Sequence, residues 1–240
     1  MGGIRYTRDE QIAKFEKVED IRFFYSQDFL NNSGKTKDTD EYYSEIAAEW
    51  IIEHLERFKQ IPSIQRKSTY YRDTHDGKPK KSDKSWEVRI ALSMFDQGII
   101  PGVGRILDYQ TPLNDKRRDG AGRIDLLAFD QNNNVLRILE LKRPDNDESM
   151  LRCVLEAYSY TKLVDREKLI LDFNRDGNFN IPEGTPIVAC PLVFRNSVQH
   201  KELQEMQEGL RKHLKKLIEQ LEVRPMIIEE NETIYSAYEL

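Results

Sequence analysis

The feature that most constrains this 240-residue chain is a pair of apolar strands joined by a short polar turn. Residues 123–130 read Arg-Ile-Asp-Leu-Leu-Ala-Phe-Asp, and residues 135–142 read Val-Leu-Arg-Ile-Leu-Glu-Leu-Lys. Between them, Gln131, Asn132, Asn133 and Asn134 have the composition of a hairpin turn. Asp125 sits inside the first strand among Ile124, Leu126 and Leu127, where a carboxylate is costly unless something binds it. Strand side chains alternate, so Glu140 and Lys142 share one face, about 7 Å apart, while Leu141 enters the opposite layer. The hairpin brings Asp125 beside Glu140. Two carboxylates and one ammonium then converge at a strand end.

The rest of the chain surrounds this hairpin with helices. A short helix is expected over residues 8–18, a loop over 31–38, and a stronger helix over 40–59 that Pro62 ends. Residues 68–83 are polar and punctuated by Gly and Pro, hence a loop. Ser85 as N-cap and Gly98 beyond the last turn frame a helix over 85–97. A strand over 105–113 precedes the hairpin, and Pro144 stops its second strand. Then come a helix over 147–164, a strand over 185–194, one long amphipathic helix over 199–221 and an edge strand over 223–228 limited by Pro225. A strand–helix–strand unit closing a sheet makes this a mixed α/β sandwich. Residues 1–65 are expected to form a helical segment packed on a domain spanning 66–240.

Composition narrows the class. Apolar residues make up 38% and charged residues 33%, a soluble globular balance. No apolar run approaches the roughly 20 residues of a membrane span, and the N-terminus lacks the apolar stretch of a signal peptide, so the expected compartment is the cytoplasm. Cys153 and Cys190 lie in apolar segments without ligand spacing and read as reduced core residues. The four histidines are scattered, with no zinc spacing. Asp172, Asn174, Asp176 and Asn178 alternate around Gly177 but lack the acidic residue that a calcium loop needs, and read as a turn. The net charge of −5 argues mildly against nucleic acid as a partner, but local patches decide. Basic residues run from Arg66 to Lys84, and Lys116, Arg117, Arg118 and Arg123 cluster just before Asp125.

Asp125 and Glu140 can offer carboxylate oxygens to Mg²⁺ (or Mn²⁺), with the Leu141 carbonyl as a further ligand. Lys142 is suited to orient or help deprotonate a water, or to offset developing negative charge. Asp125, a hairpin, then Glu140-Leu-Lys142, framed as Arg-Ile-Asp-Leu-Leu and Ile-Leu-Glu-Leu-Lys-Arg-Pro, resembles the PD-(D/E)xK nuclease superfamily. Ile124 stands where the name has Pro. The resemblance covers about residues 85–195 and implies a restriction-endonuclease-like α/β core with a mixed central sheet flanked by helices. It also implies Mg²⁺-dependent hydrolysis of DNA. From the preceding helix it implies Glu87 as a further catalytic residue. In the following helix, Glu156 and Tyr160 hold the spacing of a Gln and Tyr found in one branch, with Glu in place of Gln. Arg152, one turn earlier, is positioned either to meet a phosphate or to pair with Glu148 or Glu156.

Each signal has a plainer reading. Asp125, Glu140 and Lys142 as a salt bridge on an edge strand, Glu87 as a solvated residue beside Arg89, and the basic runs as solvated loops are the alternatives. A non-catalytic protein that keeps the fold and binds nucleic acid or a protein partner competes with the nuclease. A nuclease toxin or defence effector is a third possibility, and a homodimer is compatible with the long last helix.

Overall fold

A computed structural model describes residues 5–32, 34–71, 86–115, 122–177, 179–232 and 234–240. Helix α1 (Arg8–Phe15) is followed by two 3₁₀ turns, Ile21–Ser26 and Asp28–Asn31. Helices α2 (Tyr43–Glu53) and α3 (Leu55–Lys59) replace the single helix expected over 40–59. The chain breaks at His54, whose Nδ1 lies 2.7 Å from the Trp50 carbonyl while its ring stacks on the Trp50 indole. Helix α4 (Trp86–Gln97) leads to β1 (Ile99–Ile100), β2 (Gly104–Pro112), β3 (Arg123–Asp130) and β4 (Val135–Lys142). Then come α5 (Met150–Leu163), α6 (Arg166–Asp176), β5 (Ile187–Phe194), α7 (Val198–Gln207), α8 (Lys212–Gln220), β6 (Met226–Asn231) and β7 (Ile234–Glu239).

Among the described residues, seven strands form one mixed sheet in chain order, an α/β architecture flanked by helices. Pairing is antiparallel from β1 to β4, parallel for β4–β5 and β5–β6, and antiparallel for β6–β7. The two parallel steps follow from the α5–α6 and α7–α8 crossovers, since parallel neighbours need a long connection. The edges of the sheet approach each other, with the Ala237 amide donating to the Pro101 carbonyl at 2.9 Å.

Strand β4 is buried along its whole length and alternates between two cores. Leu136 and Ile138 face the larger one, which joins α5 to Phe15, Phe24, Trp50 and Phe58 of the N-terminal helices. Leu139 and Leu141 face the smaller one, closed by Ile90, Ala91 and Met94 of α4 and by Met226 and Ile228 of β6. Glu140 and Lys142 therefore belong to the α5 side, and Leu141 to the other.

Three further regions depart from the sequence reading. Residues 172–177 are not a turn: Asp172 is fully buried within α6, accepts the Tyr70 amide at 2.9 Å and pairs with Lys168 at 2.9 Å. Residues 199–221 form two helices. The apolar stripe is continuous, but Gly209 takes φ +81° and turns the chain between α7 and α8. The acidic end is a hairpin, β6–β7, in which Tyr235 and Ala237 turn inward. Cys153 and Cys190 are buried free thiols. Among the described residues, no helix is long and apolar enough to cross a membrane.

Candidate active site

The antiparallel ladder between β3 and β4 runs from Asp130↔Val135 to Leu126↔Leu139 and stops there. Where the next backbone bond would form, the Asp125 carboxylate takes its place: Oδ2 accepts the Leu141 amide at 3.0 Å. Its other oxygen, Oδ1, accepts Nε2 of Gln110 at 2.6 Å. Each oxygen keeps a lone pair beyond these bonds. By strand geometry a residue turns its N–H and C=O to the same neighbour, so the Leu141 carbonyl opens on the same gap.

Glu140 and Lys142 meet on the α5 face, with Nζ 2.9 Å from Glu140 Oε1. Strand β4 ends at Lys142, and residues 143–149 lead to α5, where the Ser149 hydroxyl caps the first turn by accepting the Arg152 amide. This connection carries Glu148 back to Lys142, at 2.9 Å from Nζ. From α5, Glu156 approaches the same ammonium at 2.9 Å. Tyr160, one turn on, donates its hydroxyl to Glu156 Oε1 at 3.0 Å. Arg152 pairs with Glu148 at 3.2 Å, four residues apart on the same flank.

The charges do not balance. Burial pushes Glu140 well above the ordinary carboxylate range, and the neighbouring Asp125 and Glu156 add to this; Lys142 opposes it. Burial also drives Asp125 up to about 7 against the pull of Lys142. For Lys142, burial disfavours the ammonium, but Glu140 and Glu156 outweigh it and hold the charge well above its ordinary range. Glu156 is lowered: burial opposes its charge, but the Lys142 ammonium and the hydrogen bonds from Lys142 and Tyr160 overcome that. Glu140 Oε2 and, beside it in the cluster, Glu148 Oε2 are buried without a hydrogen-bond partner. An orphaned acceptor in an over-negative site fits a divalent cation held by Asp125 and Glu140. Among the described residues, no three His, Cys, Asp or Glu side chains form a ready metal cage. Mg²⁺ does not need one, because it keeps several waters and takes one or two carboxylates.

The remaining expected residues divide. Glu87 opens α4, half-buried, where its charge raises Asp125 and its Oε1 lies 3.5 Å from Nδ2 of Asn146. Arg123 begins β3 opposite Pro112, two residues before Asp125. Lys116, Arg117 and Arg118 lie outside the described residues, as does the basic run beyond Tyr71. Arg66, at the head of that run, is buried and donates to the carbonyls of Ser68, Thr69 and Pro112, so it braces a turn.

The site also recruits residues that the sequence reading did not place there. Glu148 carried one signal, its four-residue spacing from Arg152. Gln110 and Tyr25 carried none. Tyr25, from the first 3₁₀ turn, packs edge-on against Tyr160 at 5.6 Å. Gln199, fully buried on α7, holds the connection to α5 by donating to the Asn146 and Glu148 carbonyls. Gly122 is required as glycine on two counts: its φ is +81°, and an added Cβ would lie 2.4 Å from the Tyr160 hydroxyl.

No protein-family model matches the chain, and no curated protein or solved structure matches it either.

Proposed function

We propose that the protein is a metal-dependent nuclease of the PD-(D/E)xK kind, with a restriction-endonuclease-like core, that hydrolyses phosphodiester bonds in DNA. The observation that carries this reading is the convergence of Asp125, Glu140 and Lys142 where β3 and β4 part, with Glu140 Oε2 buried and unpartnered. Asp125 and Glu140, with the Leu141 carbonyl, would hold Mg²⁺ or Mn²⁺. The ion supplies the Lewis acidity that offsets phosphodiester charge and makes water a nucleophile near neutral pH.

The chain's own residues do the rest. Gln110 and the Leu141 amide orient Asp125. Glu156, fixed by Tyr160, and Glu148, shared with Arg152, keep Lys142 charged and in place. Lys142 then orients the attacking water or offsets charge on the phosphate, once one of its three carboxylate partners yields an N–H. Glu87 adds negative charge on the α4 side. Arg123, with Lys116, Arg117 and Arg118, supplies cationic contacts for the DNA backbone, which would make binding steeply salt-dependent.

A second reading also has an observation behind it. Three carboxylates lie 2.9 Å from the Lys142 ammonium, as in a locked, catalytically silent fold that only binds nucleic acid or a protein. Incubation with plasmid and with linear single-stranded DNA separates the two, in Mg²⁺, in Mn²⁺ and in EDTA. Cleavage is expected with metal and absent in EDTA. Asp125→Ala and Lys142→Ala should each lower the rate by about 10²–10⁴-fold. Cleavage equal in wild type and variants sinks the assignment of the site, and DNA binding without cleavage favours the silent fold.

A further inference from the structure

Gln110 has a conformation that strand residues avoid. It lies inside β2, between the pairs Tyr109↔Leu126 and Thr111↔Ile124, and so stands opposite Asp125. Its φ is +54°, in the left-handed region that Gly, Asn and Asp enter readily and Gln does not. Two flanking side chains brace the distortion. Thr111 Oγ1 donates to Asp108 Oδ2 at 2.6 Å, both residues are buried, and the bond spans Gln110. Strained backbone of this kind persists where its surroundings over-determine it, and it gathers at functional sites.

From this position Gln110 makes one contact of note. Gln110 Nε2 reaches Asp125 Oδ1 at 2.6 Å, while the Leu141 amide holds Oδ2 at 3.0 Å. The carboxylate is thus pinned from β2 on one side and β4 on the other. Both donors are neutral. An Arg or Lys in place of Gln110 would hold the carboxylate equally well but would cancel the charge that a cation needs.

We infer that Gln110 is the positioning residue for Asp125, and that the left-handed backbone at this position serves to aim its amide so that the carboxylate meets a divalent cation in one fixed orientation. The inference rests on Asp125 being a cation ligand, as proposed above. Gln110 acts through Asp125 and does not itself touch the reacting groups.

Mn²⁺ titration of the full chain, followed by the electron paramagnetic resonance of the free ion, tests this beside thermal unfolding of the same metal-free proteins. Wild type should bind Mn²⁺, and Asp125→Asn should not. Gln110→Leu, similar in size without the amide, should bind about 10- to 100-fold more weakly, the usual effect of losing a partner that orients a metal ligand. Gln110→Gly is the sharper variant, because it removes the amide and relieves the left-handed strain together. It should unfold at the wild-type temperature or above it and still bind Mn²⁺ about 10- to 100-fold more weakly. A merely structural Gln110 would give a lower unfolding temperature with unchanged Mn²⁺ affinity. Unchanged affinity in both Gln110 variants, with binding lost in Asp125→Asn, overturns the role of Gln110 and leaves the cation site standing. No Mn²⁺ binding by wild type, or binding indifferent to Asp125→Asn, overturns the cation site and the inference with it.

Discussion

The two ends of β4 both bury charge, on opposite faces of the sheet, and they treat it differently. Near the start of the strand, the Arg137 guanidinium meets Asp130 at 2.7 Å, one cation to one anion, and also donates to the Val103 carbonyl. Asp130 further accepts the Asn132 and Asn133 amides of the hairpin turn and Nδ2 of Asn133. Burial works against the Asp130 charge, but the Asn133 and Arg137 bonds overcome it and hold the carboxyl below its ordinary value. At the far end, one lysine faces Glu140, Glu148 and Glu156, and Asp125 stands beside them. There two carboxyls are raised, and Glu140 Oε2 and Glu148 Oε2 are buried without a hydrogen-bond partner. A buried pair that satisfies itself is architecture. A buried cluster short of positive charge is a place for something else to bind.

Four experiments can break this comparison, beginning with the largest effect. Lys142→Ala should remove most cleavage, about 10²–10⁴-fold, whereas Arg137→Lys should change the rate little in whatever fraction stays folded. A DNA cleavage assay on both proteins decides it, and equal losses would erase the distinction. Asp130→Ala should cost about 3–5 kcal/mol, because it strands Arg137 and unties the turn. Urea unfolding of the metal-free protein measures that. Glu140→Gln should move stability the other way, by about 0.5–2 kcal/mol, since it removes repulsion at the expense of the cation site. A Glu140→Gln protein less stable than wild type would mean that the far end is as well balanced as the near one.

The last effect is one of pH. The Asp125 carboxyl rises from its ordinary 3.8 to about 7 in the folded, metal-free chain. Between those values the folded state holds the proton more tightly than the unfolded state does. Stability from this group is therefore full below the lower value and is lost as pH climbs through the upper one. Asp130, with its lowered value, contributes in the opposite sense: its stabilisation is present above the ordinary range and is lost as pH falls through its folded value. Asp125→Asn should flatten the decline in unfolding temperature from about pH 4 to pH 7, at about 2–4 °C for each kcal/mol recovered. Saturating Mn²⁺ should flatten it in wild type as well. Parallel curves for wild type and Asp125→Asn would contradict the raised Asp125 value.

Much of the frame was legible in the sequence because its signals are local. The turn at 131–134, the stop at Pro144 and the apolar periodicity of residues 150–163 each act within a few residues. The misreadings came where a local signal was weak or outvoted. Helix α6 was hidden by its polar residues, although Leu169, Ile170 and Phe173 gave it a buried face. The α7–α8 break rested on one glycine inside an unbroken Leu and Met stripe. Strand β7 lay in an acidic stretch whose inward residues, Tyr235 and Ala237, are few.

At the site, the sequence by itself determined that Glu140 and Lys142 share a face and Leu141 does not, because a strand's period of two is a property of the backbone. The hairpin likewise placed Asp125 near Glu140 without help from the rest of the chain. Only the tertiary structure decided what surrounds them. Glu148 reaches Lys142 because the connection to α5 folds back under Gln199. Tyr160 is buttressed by Tyr25, which lies 135 positions away and belongs to the N-terminal segment. Gln110 reaches Asp125 across the β2–β3 pairing from a left-handed position, and no periodicity reports a left-handed residue. These contacts depend on the packing of separate elements, and their electrostatic consequences depend on how deeply that packing excludes water.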